Sequence, residues 1–169
     1  MPLGTQGELV ISTLTKRAIP FVRYRTGDIT ALNAEACPCG RTTVRMARVK
    51  GRTDDMLIIK GVNVYPCEVE SALLAIGDLE PHYQLVVDRT ATLASLEVRV
   101  EPSAALLARA GKAVLEEGGP VAQAIRREVS ERLRAAIGLG VEVTLVPPRT
   151  LPRSEGKAVR VIDSPASQP

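Results

Sequence analysis

Aromatic side chains are nearly absent: the 169 residues include no Trp, three Tyr and one Phe, too few rings for a base-stacking surface on single-stranded nucleic acid. No nucleic-acid partner is expected. Cysteine is as sparse, and two of its three copies are packed into Cys37-Pro38-Cys39, an odd number that forms no disulfide framework and suits a reducing compartment. The single histidine, His82, has no Asp, Ser or Cys partner motif around it and reads as a packed or surface residue. No apolar stretch approaches the roughly 18 residues of a membrane span. Met1-Pro2-Leu3-Gly4-Thr5 has neither the basic nor the apolar region of a secretion signal. No membrane partner is expected, and the expected location is cytoplasmic.

What is present supports a folded chain. Hydrophobic residues make up 45% and charged residues 24%, enough for a real core and incompatible with disorder as the main state. The formal net charge is +3, but Lys16 to Lys60 carries ten Lys/Arg against four Asp/Glu, a local excess of +6 that leaves −3 for the rest. The basic stretch reads either as a solvated face or as a site for an anionic ligand.

Gly7 to Thr13 and Phe21 to Tyr24 have the composition of short strands, residues 32–42 read as a loop, and Val44 to Val49 alternates like an edge strand. Met56 to Ile59 and Val62 to Tyr65, split by Lys60-Gly61, predict a hairpin. Pro66 suits the first position of a helix carrying Val69, Leu73 and Ile76 on one side, with Gly77 as terminator. Tyr83 to Asp88 and Leu96 to Glu101 predict a pair of strands. Ser103 caps an expected helix through about Glu117, and Val121, Ile125, Val129, Leu133 and Ile137 recur every four residues as the stripe of another. Val141 to Leu145 alternates again. An α+β fold follows, a small sheet of three or more strands with helices on one face. The proline-bearing tail beyond Pro147 is expected to be largely loop or disordered. The composition shift near Gly51 to Asp55 marks the expected domain boundary.

Three segments hold residues suited to chemistry. Tyr24-Arg25-Thr26-Gly27-Asp28 is a β run ending in a tight turn, and a carboxylate there either serves the turn or accepts the paired hydroxyls of a ribose. Gly51-Arg52-Thr53-Asp54-Asp55, followed by the Lys60-Gly61 bend, is a charged linker or a place where a guanidinium meets phosphate or ribose oxygens. Leu151-Pro152-Arg153-Ser154-Glu155-Gly156-Lys157-Ala158-Val159-Arg160 carries a lysine beside glycine, either solvated or a cation deliverable to developing negative charge. Cys37 and Cys39 stand closer than the usual C-x₂₋₄-C of structural zinc, and Cys67 and His82 complete no ligand set, so reduced thiols are favoured over a metal site.

In order and spacing, GELVISTLTKRAIPFVRYRTGD, GRTDDMLIIKGVNVYP, PHYQLVV and LPRSEGKAVRVID resemble the C-terminal motifs of the acyl-adenylate-forming superfamily, in particular its phenylacetate–CoA ligase branch. The resemblance covers nearly the whole chain. It implies residues 1–50 as a β-rich C-terminal remnant of a large N-terminal adenylation domain, 51–163 as a mobile lid domain and 164–169 as a disordered tail. It implies ATP, Mg²⁺ and coenzyme A as the complete enzyme's cofactors and an aryl acid as its small-molecule substrate. By the same resemblance Asp28 binds the ribose hydroxyls, Arg52 contacts the ribose and phosphate region, and Asp54 is the hinge. Lys157 is the catalytic lysine of adenylation, while Gly61, Val62 and Asn63 line the pantetheine tunnel. The phosphate-binding loop, acid pocket and Mg²⁺-holding glutamate of the large domain have no counterpart here. The chain is therefore expected to need that domain as partner and to lack activity alone. The rivals are a non-catalytic α+β ligand-binding or interaction module, and an adenylating enzyme with an acceptor other than CoA. Unpaired strands near the N-terminus would also permit homo-oligomers.

Overall fold

The structure is a computed structural model that describes residues 2–90, 92–116, 118–153 and 159–164. The chain forms two compact units, Met1–Met56 and Leu57–Pro169.

The first unit is a four-stranded sheet. β1 (Gln6–Ile11) and β2 (Tyr24–Asn33) pair antiparallel, and β2 also pairs antiparallel with the short β3 (Arg45–Met46) and β4 (Gly51–Arg52). Phe21 to Arg23, expected as a strand, is irregular. Arg23 holds a left-handed backbone (φ 51°) that no strand accommodates, and its N–H donates instead to Ser12 Oγ at 2.9 Å. The pairing begins only at Tyr24. The alternation at Val44 to Val49 shrinks to the two residues of β3. Several apolar side chains of this unit stay exposed, among them Val10, Val22, Val44 and Met46.

The second unit opens with a hairpin, β5 (Leu57–Ile59) and β6 (Val62–Val64), paired antiparallel with Ile59 opposite Val62. Its two-residue turn has Lys60 at φ 50° and Gly61 at φ 79°, the double left-handed pattern that matches strand twist. Ile59 and Val64 are buried while Ile58 and Asn63 between them are exposed. α1 (Pro66–Leu74) starts with proline at its first turn and places Val69 and Leu73 inside. The helix stops at Leu74 instead of running to Ile76, yet Ile76 is also buried.

The main sheet has the order β10-β7-β8-β9, from β7 (Leu79–Asp88), β8 (Ser95–Pro102), β9 (Glu142–Leu145) and β10 (Val161–Asp163). β7 and β8 are antiparallel, whereas β8–β9 and β10–β7 are parallel, so the sheet is mixed. β10 corrects the expectation of an unstructured tail up to this point: Val161 and Ile162 gain a full ladder because β7 offers an open edge. Ser103 caps α2 (Ala104–Ala110) by accepting the Leu106 N–H at 3.2 Å. That helix does not continue to residue 117. It gives way at Gly111, whose φ of 61° breaks the ladder, to a 3-10 turn over Gly111–Val114.

α3 (Pro120–Ile137) has the four-residue stripe: Ile125, Val129, Leu133 and Ile137 are buried. Ala122, not Val121, completes it. Gly138 at φ 70° ends the helix and its N–H returns to the Arg134 carbonyl. The stripe packs with Val69 and Leu73 of α1 against Leu85, Val87, Val98, Val100, Val143 and Leu145 of the sheet. Each such side chain contributes about 1.5–3 kcal/mol on burial. No helix among the described residues is long and apolar enough to cross a membrane.

Candidate functional site

Asp28 and Arg52 are register partners across β2 and β4. The expected strand-ending turn at Gly27-Asp28 is instead a bulge within β2, where the register to β1 shifts between Glu8 and Val10. Gly27 takes φ 79°, its N–H donates to Glu8 Oε1 at 3.2 Å and the Asp28 N–H donates to Thr26 Oγ1 at 3.1 Å. Glu8 is in turn held by Arg25, whose Nε donates to Oε2 at 2.8 Å. The guanidinium of Arg25 keeps the Glu8 carboxyl below its usual value. The bulge turns Asp28 toward the edge on which Arg52 lies.

The guanidinium of Arg52 forms a fork with Asp54, Nε to Oδ1 and Nη2 to Oδ2, each 2.9 Å. Nη1 donates to Asp28 Oδ1 and to the Thr26 carbonyl, both at 3.2 Å. The hydrogen bond that Arg52 donates to Asp54, then the charges of Asp54, Asp28 and Asp55, raise the Arg52 pKa. A methyl group on Gly27 would stand 3.0 Å from Arg52 Nη2, so glycine there admits the fork. The Thr53 N–H closes the arrangement on the Gly27 carbonyl at 2.7 Å. A half-buried carboxylate beside a planar cation that neutralises it suits the recognition of paired hydroxyls next to a phosphate.

Of the residues singled out in the sequence, Asp28, Arg52 and Asp54 thus meet within the first unit. Gly61, Val62 and Asn63 belong to the hairpin of the second, with Val62 packed against its core and Asn63 exposed. Lys157 lies outside the described residues.

Cys37 and Cys39 bring their sulfurs to 2.9 Å across a turn closed by the Gly40 N–H and the Cys37 carbonyl. The hydrogen bond from Cys37, then that from the Arg41 backbone, lower the Cys39 pKa. Among the described residues, no group of three or more His, Cys, Asp or Glu could hold a metal ion.

Two clusters escaped the sequence. Glu101, on a strand whose alternation assigns it to the polar face, is wholly buried. Arg160 Nη1 donates to Tyr83 Oη at 2.8 Å, pairs with Glu70, and lies 4.6 Å from the Tyr83 ring centre. Burial raises the Tyr83 pKa, partly offset by Arg160. No letter-level signal joins these residues, which are far apart along the chain.

The profile of the family described as AMP-binding enzyme C-terminal domain matches residues 61–164. A phenylacetate-coenzyme A ligase of Thermus thermophilus is 49% identical over 168 residues, covering 96% of this chain and 38% of its own length. A solved 2-hydroxyisobutyryl-CoA ligase, in the postadenylation state with 2-HIB-AMP, matches at 33% identity and a TM-score of 0.83, over 97% of this chain and 33% of its own. The same ligase with 2-HIB-AMP and CoA in the thioesterification state matches at 33% identity and a TM-score of 0.57, over 96% of this chain and 32% of its own. The chain therefore spans between about a third and two fifths of the length of these relatives.

Proposed function

Because the chain belongs to the AMP-binding enzyme C-terminal domain family, we propose that it is the C-terminal part of an ATP-dependent aryl-acid–CoA ligase of the phenylacetate type. The observation that carries this reading is the meeting of Asp28 and Arg52 on neighbouring strands, held by the bulge at Gly27. Asp28 accepts the ribose hydroxyls of ATP and of the acyl-adenylate. Arg52 orients that carboxylate and turns its remaining donor toward the ribose and phosphate region.

In the first half-reaction, a carboxylate oxygen of the acid attacks the α-phosphorus, the bond to the β-phosphate oxygen breaks, and pyrophosphate leaves. Two anions approach each other in that step, and a positioned ammonium offsets their repulsion by several kcal/mol in a dry site. Lys157 supplies it. In the second half-reaction the CoA sulfur attacks the acyl carbon, the C–O bond to AMP breaks, and the thiol proton leaves to solvent or a base. Gly61, Val62 and Asn63 guide the pantetheine arm there, the bare backbone of Gly61 allowing close approach. Asp54 is the point of the swing between the two steps. One relative matches this chain with TM-scores of 0.83 and 0.57 in its two states at the same identity, which supports a change of shape between half-reactions.

Mg²⁺ assists ATP chemistry by neutralising phosphate charge. The described residues offer no trio of His, Cys, Asp or Glu for it. Without the large adenylation domain that would carry the acid pocket, the chain makes no acyl-CoA. The exposed apolar side chains of the first unit support such a partner.

The test joins this chain behind the residues that precede the matched segment in the Thermus thermophilus relative and measures acid-dependent ATP–pyrophosphate exchange. Exchange is expected, and Lys157→Ala is expected to abolish it. Exchange that survives the substitution unchanged overturns the role of Lys157.

A further inference from the structure

Cys37 and Cys39 take no part in the site described above, and the loop that carries them brings their sulfurs together. Between β2 and β3, Cys37-Pro38-Cys39-Gly40 forms a four-residue turn closed by the Gly40 N–H on the Cys37 carbonyl at 2.9 Å. Pro at the second position and Gly at the fourth are the residues that a type I turn favours. Cys39, at the third, is not among the residues with a left-handed backbone, which excludes type II. The two side chains converge until 2.9 Å separates the sulfurs. That is about 1 Å more than the length of a disulfide bond.

The two sulfurs are not equivalent. Cys39 is exposed and Cys37 half-buried. The hydrogen bond from Cys37, then the one from the Arg41 backbone, hold the Cys39 thiol below its ordinary value, which enriches the thiolate, the nucleophilic form. Cys67 is the contrast. It lies half-buried in the first turn of α1, where burial and then the charge of Glu68 push its thiol up. An exposed, activated sulfur in contact with a second thiol is the arrangement of an attacking and a resolving cysteine. Only Pro38 stands between them, and its ring already fixes φ, so closing the ring orders almost nothing more. A metal ion is a poorer occupant, because among the described residues no third His, Cys, Asp or Glu joins the pair.

We propose that Cys37 and Cys39 form a reversible dithiol–disulfide site whose reaction partner is a low-molecular-weight disulfide of the glutathione type. The Cys39 thiolate attacks one sulfur of the partner, the partner's S–S bond breaks, and one thiolate leaves and takes up a proton. Cys37 then loses its proton to solvent and attacks Cys39 Sγ in the mixed disulfide, whose S–S bond breaks to release the second thiolate. The protein pair gives up two electrons and the partner accepts them. An excess of the reduced partner runs both steps backward. The assignment uses none of the adenylation residues and stands apart from the reading in the preceding subsection.

The experiment exposes the reduced 169-residue chain to glutathione disulfide without oxygen, quenches with acid, alkylates the remaining thiols and maps tryptic fragments by mass. Cleavage after Arg25 and Arg41 puts Cys37 and Cys39 in fragment 26–41, and cleavage after Lys60 and Arg89 puts Cys67 in fragment 61–89. Fragment 26–41 is expected to lose two hydrogens and resist alkylation, about 10-fold or more faster than glutathione adds to Cys67. Reduced glutathione in excess should restore both thiols. Cys37→Ser is expected to stop at a mixed disulfide on Cys39, whereas Cys39→Ser should leave Cys37 reacting about 10-fold more slowly. A glutathione adduct that persists on Cys39 of the unsubstituted chain overturns the inference. So do ring closure no faster than reaction at Cys67, disulfides between chains in place of the ring, or a stoichiometric zinc ion on the purified chain that shields both sulfurs.

Discussion

Asp28 and Arg52 face each other across β2 and β4 with 3.2 Å between Oδ1 and Nη1, yet the two shorter contacts of that guanidinium, 2.9 Å each, go to Asp54. Arg52 is therefore held in place by Asp54 whether or not Asp28 is engaged elsewhere. The cation is fixed and the carboxylate is the partner that can change its company.

Asp28→Asn is expected to weaken adenosine nucleotide binding by the joined enzyme about 10- to 100-fold, since a hydrogen bond to a charged group is worth about 1.5–3 kcal/mol. Calorimetric titration with AMP checks it. The urea midpoint of the chain should move little, because Arg52 keeps its fork.

Gly27→Ala attacks the same place from the backbone. At φ 79° an L-residue costs about 1–2 kcal/mol, and the added methyl would stand 3.0 Å from Arg52 Nη2, close enough to displace the fork. The first unit should lose about that much stability in urea. Nucleotide affinity should fall further than the stability loss explains, because the fork is pushed aside.

Gly61→Ala separates strain from contact. No atom lies within 4 Å of the position a methyl would take, so only the left-handed backbone is penalised, by about 1–2 kcal/mol in thermal unfolding. Thioester formation from preformed adenylate should slow more than pyrophosphate exchange. Equal slowing of both would argue against a place for Gly61 beside the pantetheine arm.

Buried Glu101 accepts hydrogen bonds from the Arg149 and Leu151 N–H groups and from Arg153, and this makes stability depend on pH with a definite sign. Burial alone would raise this carboxyl above the ordinary 4.5, but the Leu151 N–H, Arg153 and the Arg149 N–H outweigh it and hold the folded value lower. Its contribution is present above the unfolded carboxylate value and lost as pH falls through the folded one. Urea titrations between pH 7 and 3 should show the second unit weakening at the acid end. Glu101→Gln should flatten that part of the profile.

Much of the architecture was legible because it depends on local pattern. The four-residue spacing from Ile125 to Ile137 can bury a stripe only as a helix, and Lys60-Gly61 between apolar triplets can close only a tight hairpin. Other features depend on partners distant in sequence. Val161 and Ile162 form a strand because β7 presents an open edge to them, a fact no window around residue 161 contains. Asp28 lies inside a strand instead of at its end because Glu8 holds the bulge. Glu101 looks solvent-facing by alternation and is buried because the backbone amides of residues 149 and 151 fold over it. Asp28, Arg52 and Asp54 were singled out together by motif order and do meet in the fold, whereas the contacts of Glu101 with residues 149–153, and of Arg160 with Tyr83 and Glu70, join residues that no sequence spacing connects.

The parallel seat of β10 also sets a timetable. During synthesis β7, β8 and the helices emerge first, and they leave one flank of β7 without a neighbour until residues 161–163 have cleared the ribosome. For that interval the nascent sheet displays a row of unpaired amide and carbonyl groups to every other chain nearby. Chains that stall late in translation should accordingly be the ones that a holdase has to shelter.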